Sequence, residues 1–225
     1  MIENGWDPVH AYLKLFLDLT KAGKPFDGIT NKNLRDFGSQ LKPYDGLPGF
    51  FQHLRKWSKE PPFGDLDIEI SYYVVSGGFE EIIRGCDTIS KNLNEFYGCR
   101  LAGDTPTGQV KYIMRAISFT EKTRYIFEIH KGILKRQSDK NPMLVNKEVK
   151  KDKRPVPFKH MIYVGDGLTD IPCLSLIKHN YGYGIAIMHK DSAKREVFED
   201  LIKEQRATSY HSPNYKKDSD LTGVI

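Results

Sequence analysis

The chain has 225 residues, with 34 Lys and Arg against 29 Asp and Glu and a formal net charge of +5. This length can bury a core, and the 39% hydrophobic content excludes intrinsic disorder. No apolar run approaches the roughly eighteen residues of a membrane span, the first residues do not resemble a signal peptide, and three scattered cysteines exclude a disulfide framework. We expect a soluble cytoplasmic protein without a membrane partner, and the mild charge is only a weak indication of nucleic-acid binding.

The first 45 residues are expected to form a small helical region. Asp7-Pro8 is typical of a helix start, and the apolar residues that follow favour a helix over 9–19. A weaker helix is expected over 32–37. Apolar residues at helical spacing predict an amphipathic helix over 47–57, where a larger α/β region, residues 46–225, begins.

Strand and helix patterns then alternate. A β-branched and aromatic run predicts a strand over 68–75 that stops at Ser76-Gly77-Gly78, and a short helix is expected from Phe79. Glycine-punctuated short strands are expected over 97–119, and a helix over 121–134 with Thr120 as its N-cap. This alternation predicts a mixed α/β fold with a parallel sheet.

The rest of the chain continues the alternation after one polar interruption. Residues 135–159 are rich in lysine and are expected to form a solvated loop. Beyond it we expect strands at 161–164 and 184–188 and helices at 171–178 and 192–205, as well as an irregular tail from residue 206.

The stretch Gly165-Asp166-Gly167-Leu-Thr-Asp170 is the most informative part of the sequence. An apolar strand delivers two carboxylates onto a glycine-rich loop at its carboxyl end, which is where parallel α/β sheets bind ligands. Paired carboxylates suit Mg²⁺, which prefers a few carboxylates, waters and a phosphate. The simpler alternative is that Asp166-Gly167 is only a turn and Asp170 only a helix cap. A calcium EF-hand loop is excluded, because Ile171 and Ile177 occupy its required Gly and Glu positions.

Two other elements point to a phosphate group. Ser76 and the backbone N–H of Gly77 follow an apolar strand and precede a helix, as in a phosphate cradle, although Ser-Gly-Gly is also an ordinary turn. Lys122 lies in the first turn of a predicted helix, where a cation is unfavourable, which suggests that it serves an anion. Lone surface lysines are nevertheless common.

Together and in this order, the three elements resemble motifs two, three and four of the haloacid dehalogenase-like (HAD) phosphohydrolase superfamily. The resemblance implies a Rossmann-like parallel sheet with helices on both faces, formed by residues 46–225, and a small N-terminal helical cap formed by residues 1–45.

The resemblance also implies a role for each site residue. Asp166 would bind Mg²⁺, and Asp170 would support the metal directly or through water. Ser76 and the N–H of Gly77 would hold the phosphoryl oxygens, and Lys122, with Lys131 as a less suitable candidate, would neutralise charge.

Motif one of that family is absent from its expected place. It is an apolar strand ending in Asp-x-Asp, which supplies the nucleophile and the general acid/base, and it would precede residue 5. Asp65 and Asp67 precede a predicted strand instead of ending one, and Asp18 lies in a helical pattern, so neither is accepted as motif one.

The absence of motif one would also affect the fold, because in this family the motif-one strand is central in the sheet, between the strands that carry motifs two and four. We favour a fragment or downstream-start product over a degenerate family member, and consider a substitute strand least expected.

The leading hypothesis is an HAD-like Mg²⁺-dependent phosphomonoester hydrolase that acts on a small phosphorylated metabolite and is inactive as this isolated chain. The alternative is a non-catalytic phosphate- or Mg²⁺-binding module. A nucleic-acid binder that uses residues 147–159 is disfavoured, because that run has few aromatic residues and contains Glu148 and Asp152.

Overall fold

A computed structural model describes residues 4–104, 107–188 and 195–225. The chain divides into two compact units, Met1–Ser118 and Phe119–Ile225. Within those residues each unit contains a three-stranded sheet with helices, and three of the four strand pairings are parallel, so the fold is mixed α/β. No helix in the described part of the chain has the length and apolar character needed to cross a membrane. The expected boundary between a cap and a core near residue 45 stays a prediction.

The described part of the first unit contains three α-helices followed by a sheet with two short α-helices. Its helices are α1 (Pro8–Leu19), α2 (Asn31–Gly38), α3 (Gly49–Trp57), α4 (Glu80–Gly85) and α5 (Asp87–Ser90). Its strands are β1 (Tyr73–Phe79), β2 (Glu95–Gly103) and β3 (Val110–Arg115). The strand order is β1-β2-β3, with β1 parallel and β3 antiparallel to β2.

Local signals account for the helices that precede the sheet. The Asp7 carboxylate accepts hydrogen bonds from the N–H groups of Val9 (2.9 Å) and His10 (3.2 Å), which caps α1. Thr30 caps α2 through the N–H of Asn33. The helices predicted over 9–19, 32–37 and 47–57 are confirmed.

Strand β1 begins later than predicted and continues through the glycines that were expected to end it. It pairs with β2 from Tyr73 to Phe79, whereas the predicted strand covered 68–75. Between Val75 and Phe79 the register shifts, so the Ser76-Gly77-Gly78 sequence is a bulge within the strand. The prediction of a stop was wrong because pairing with β2 resumes beyond the glycines.

In the residues that the structure describes, the second unit contains a parallel sheet and five α-helices. Its helices are α6 (Glu121–Lys131), α7 (Lys135–Lys140), α8 (Ile171–His179), α9 (Arg195–Lys203) and α10 (Asp220–Val224). Its strands are β4 (Ile162–Gly165), β5 (Tyr183–Ile187) and β6 (Ser209–His211). They are ordered β4-β5-β6, and both pairings are parallel.

Helices cover both faces of this second sheet. Buried Ala186 packs in one cluster with Leu174 of α8 and Leu201 of α9. Its neighbour on β5, Ile185, packs in another cluster with Leu221 of α10. Successive residues of a strand point to opposite faces, so the central strand of the unit is buried on both sides.

One prediction for the second unit was wrong, one holds for position only, and one lies partly outside the described residues. The tail is not irregular, because β6 pairs with β5 from Ser209 to His211 and α10 follows. Thr120 occupies the N-cap position of α6 as predicted, but its side chain makes no cap bond. The start of the helix predicted over 192–205 lies outside the described residues. The polar segment contains α7 and three short 3-10 helices.

Candidate functional site

The loop after β4 carries two of the predicted site residues, Asp166 and Asp170. Strand β4 ends at Gly165, a 3-10 turn covers Leu168–Asp170, and α8 begins at Ile171. A Cβ at Gly165 would lie 2.5 Å from the Asp170 Cβ, so only glycine lets the loop fold back this closely onto the strand end. The sequence therefore places Asp170 at the carboxyl end of a parallel strand.

Lys122 and Asp170 form a buried ion pair, although they are far apart in the sequence. The Lys122 ammonium lies 2.7 Å from Oδ1 of Asp170, and each side chain is only 6% exposed. The ammonium also donates to the Thr169 hydroxyl at 3.1 Å. A buried charge needs a close partner, so this pair fixes the loop after β4 against the first turn of α6.

Tyr163 is a further partner of Asp170 that the sequence did not reveal. Its hydroxyl donates to Oδ1 of Asp170 at 2.5 Å, while the N–H of Gly167 donates to Oδ2 at 3.1 Å. Burial raises the pKa of Tyr163 well above its ordinary value, and the neighbouring Asp170 charge adds to the shift. The phenol therefore stays protonated and acts as a hydrogen-bond donor. Its only sequence signal was its position in the strand that carries the motif.

A buried thiol lies behind this network. Cys173 is fully buried in α8, and burial raises its pKa to about 11. The thiol is therefore neutral near pH 7 and behaves as a small apolar side chain.

The Asp170 side chain does not act as a simple cap of α8, which was the alternative interpretation. It makes no cap bond to α8, and its two oxygens bind Lys122, Tyr163 and the Gly167 N–H. An ionised carboxylate has about four acceptor positions, so Asp170 has about one left for another ligand.

Asp166 contrasts with Asp170. It lies directly after Gly165 and is exposed, and within the residues that the structure describes its carboxylate has no hydrogen bond or ion pair. Both of its oxygens are therefore free to bind a cation. Asp166 is therefore the carboxylate of the loop that can bind a ligand, whereas the Asp170 carboxylate holds the loop in place.

The carboxylates of Asp166 and Asp170 provide part of what a Mg²⁺ site needs. Mg²⁺ is commonly held by one or two carboxylates together with waters and phosphate oxygens. Asp166 would supply a direct ligand, and Asp170 would supply its remaining oxygen position or bind a coordinated water. Across the described ranges, no group of three or more His, Cys, Asp or Glu side chains could hold a metal ion.

Ser76 and Gly77 belong to the first unit, and the β1 bulge holds them in a local network. The Ser76 hydroxyl oxygen accepts from the Gly78 N–H at 2.9 Å. The carbonyl of Gly77 accepts from the Tyr12 hydroxyl and from the Cys99 thiol, the latter at 3.1 Å. These bonds leave the Ser76 O–H as a donor for another group.

The structure also separates the main candidates from their competitors. Lys131 donates to the carbonyls of Val145 (2.6 Å) and Lys147 (3.0 Å), so its ammonium serves the chain itself. Asp65 lies in a 3-10 turn, outside any strand end. Asp18 lies within α1, where hydrogen bonds from lysines lower its pKa to about 2. We find no support for these residues as parts of the site.

Comparison with known proteins adds one relative. An uncharacterized protein of Borreliella burgdorferi is 27% identical to this chain over 241 aligned residues, which cover 99% of this chain and 80% of the relative. No family model and no solved structure matches the chain.

Proposed function

We propose that the chain is an HAD-like protein and carries the Mg²⁺- and phosphate-binding part of a phosphomonoester hydrolase that acts on small phosphorylated metabolites. The observation that carries the proposal is the buried Lys122–Asp170 pair beside the free carboxylate of Asp166. A buried cation and an open carboxylate at the carboxyl end of a parallel strand are what phosphoryl chemistry needs, because it depends on positioned positive charge.

Each residue has a distinct proposed task. Asp166 holds Mg²⁺, which when bound supplies positive charge to the phosphoryl oxygens. Asp170 keeps the Lys122 ammonium and the loop in place. The proposed tasks of Ser76 and Gly77, donation to phosphoryl oxygens, rest on the resemblance and on the free O–H of Ser76.

We also propose the finer fold that the resemblance implies: a Rossmann-like core, a helical cap at residues 1–45 and a missing motif-one strand. The support is strand β4, which lies at the edge of its sheet although its sequence, Ile-Tyr-Val-Gly, is uncharged and apolar. Edge strands are usually protected by charge or by a covering element, and uncharged apolar strands are typical of sheet interiors. We propose that a further strand, ending in Asp-x-Asp, extends the sheet at β4.

The Borreliella burgdorferi relative offers a direct check of that strand. About a fifth of the relative lies outside the aligned part, since the match covers 80% of it. An apolar strand followed by Asp-x-Asp in those residues would support the proposal. Their lack of such a strand would favour the alternative, a non-catalytic phosphate- or Mg²⁺-binding module, because nothing would supply the nucleophile.

The site itself is tested by metal binding. We expect Mn²⁺, followed by electron paramagnetic resonance as a probe of the Mg²⁺ site, to bind this chain and to be displaced by Mg²⁺. Asp166→Asn should weaken binding by at least about tenfold, since it removes the free carboxylate. Asp65→Asn is the matched control, because Asp65 is also exposed and is not one of the proposed site residues.

Turnover of p-nitrophenyl phosphate completes the test. We expect none from this chain, with or without Mg²⁺, because the nucleophilic Asp is absent. Metal binding that is indifferent to Asp166→Asn would contradict the proposed site. Mg²⁺-dependent turnover that Asp166→Asn abolishes would contradict only the proposed inactivity of the isolated chain.

A further inference from the structure

Positive charge is concentrated in one part of the second unit, residues 131–160, here called the basic segment. It contains ten Lys and Arg against three Asp and Glu, a net charge of +7. The whole chain carries +5, so the remaining 195 residues carry −2. The chain is therefore only mildly basic as a whole, although the basic segment is strongly cationic.

The basic segment is attached to the fold by hydrogen bonds to its backbone. The Lys131 ammonium binds the carbonyls of Val145 and Lys147, and the Arg154 guanidinium donates to the carbonyl of Val149 at 2.8 Å. The His130 ring, whose pKa is lowered by burial, lies 2.8 Å from the carbonyl of Val156. Ordered attachment means that little conformational entropy remains to be lost when the surface meets a partner.

Most cations of the basic segment have no internal partner. Seven of them are exposed and form no ion pair within the part of the chain that the structure describes. They are Arg136, Lys140, Lys147, Lys150, Lys151, Lys153 and Lys159. Elsewhere, surface lysines often pair with a carboxylate about one helical turn away, as Lys32 does with Asp36 and Lys91 with Asp87. The unpaired charge of the basic segment is therefore available to an external polyanion.

Two exposed apolar side chains indicate which polyanion fits. Leu134 is 44% exposed and Met143 is 67% exposed, and they flank the short basic helix α7 on either side in the sequence. Phe158, the one Phe, Tyr or Trp of the basic segment, stacks on His130 at 4.0 Å and is not free to stack on a base. Nucleic-acid surfaces for single strands rely on free aromatic side chains, whereas a charged lipid surface accepts cations with interspersed apolar residues.

We propose that the basic segment binds the surface of a membrane that contains anionic phospholipid. Lysines and Arg136 meet the headgroup charge, and Leu134 and Met143 enter the apolar boundary beneath it. The proposal differs from the expectation of no membrane partner, which considered only membrane-spanning segments. It does not depend on the proposed phosphatase chemistry.

Co-sedimentation with vesicles tests the proposal. The probe is phosphatidylcholine vesicles with about 30% phosphatidylserine, compared with pure phosphatidylcholine at about 0.1 M salt. The test variant is Lys147→Gln/Lys150→Gln/Lys151→Gln/Lys153→Gln, and its control is Lys24→Gln/Lys42→Gln/Lys56→Gln/Lys217→Gln. All eight lysines are exposed, and both variants lower the net charge from +5 to +1.

The wild-type chain should bind only the anionic vesicles. The test variant should lose roughly a hundredfold or more in partition coefficient, since each lysine near an anionic surface contributes about fivefold. The control should change by less than about threefold at this salt concentration. Leu134→Ser/Met143→Ser should lose about tenfold through the removed apolar contact.

Three results would overturn the proposal. The first is no binding to phosphatidylserine vesicles. The second is an equal loss of vesicle binding in the test and control variants, which would mean that binding depends on the net charge of the chain and not on the basic segment. The third is binding of the wild-type chain to a labelled DNA or RNA oligonucleotide without binding to vesicles, which would assign the surface to nucleic acid.

Discussion

The ends of β1 and β4 carry similar glycine-rich sequences, yet they form different structures. After β4, the chain leaves the sheet at Gly165 and folds into a loop whose Asp170 is bound to three separate groups. At the end of β1, Ser76-Gly77-Gly78 stays in the strand as a bulge. The same residue types thus make a loop in one place and a strand irregularity in the other.

The two regions, here called the β4 junction (residues 165–170) and the β1 junction (residues 76–78), differ in the kind of interaction that fixes them. The β4 junction contains a buried ionised pair, so its geometry is fixed by charge and by close packing around Gly165. The β1 junction contains bonds to a neutral carbonyl and a hydroxyl, which tolerate more adjustment. Matched substitutions at the two junctions should therefore have unequal effects.

Loss of the buried charge should have the largest effect. Asp170→Ala leaves the Lys122 ammonium buried without its carboxylate and should lower the free energy of unfolding by about 3–5 kcal/mol, measured by urea denaturation with circular dichroism. Ser76→Ala at the other junction removes a neutral hydrogen bond and should cost about 1 kcal/mol.

The double variant Lys122→Met/Asp170→Ala separates charge pairing from general packing. With both charges removed, it should be less destabilised than the sum of the single variants, because no buried charge is left unpaired. Strictly additive losses would mean that the two side chains do not act as a pair.

Substitution of a glycine by alanine at the two junctions should give the next largest difference in the free energy of unfolding. At Gly165 an added Cβ would lie 2.5 Å from Cβ and 2.8 Å from Cγ of Asp170, so Gly165→Ala should cost about 3 kcal/mol. At Gly77 the nearest atoms, the Ile117 carbonyl oxygen and a Val9 methyl, lie at 3.4 and 3.6 Å. Gly77→Ala should therefore cost less than about 1 kcal/mol in the same urea measurement. Equal losses at the two glycines would contradict the comparison.

The sequence predicted the helices better than the strands. Helix α1 follows from Asp7-Pro8 and the apolar residues after it, all within one segment of chain. Strands depend on a partner elsewhere in the chain. The run 68–72 has strand-like residues without strand pairing, while β6, with the sequence Ser-Tyr-His, pairs with β5 although it has no apolar pattern.

The candidate site residues were chosen from the sequence, but their contacts could not be. Lys122, Asp166 and Asp170 were selected from residue type, order and the resemblance, and the structure brings Lys122 and Asp170 into contact. The different states of the two carboxylates were not predictable, because burial is decided by how α6 and the β4 loop pack. The role of Tyr163 was missed for the same reason, since its hydroxyl meets Asp170 only in the folded chain.

The two tyrosines that serve these junctions provide the finest comparison. Tyr163→Phe removes a donor to an ionised carboxylate and should lower the free energy of unfolding by about 1.5–2 kcal/mol, since Lys122 still holds Asp170. Tyr12→Phe removes a donor to the Gly77 carbonyl, which keeps the Cys99 thiol as a partner, and should cost about 1 kcal/mol or less. Urea denaturation of both variants measures the difference directly. A larger loss for Tyr12→Phe would mean that the β1 bulge is the more constrained of the two junctions, and the contrast between them would have to be reversed.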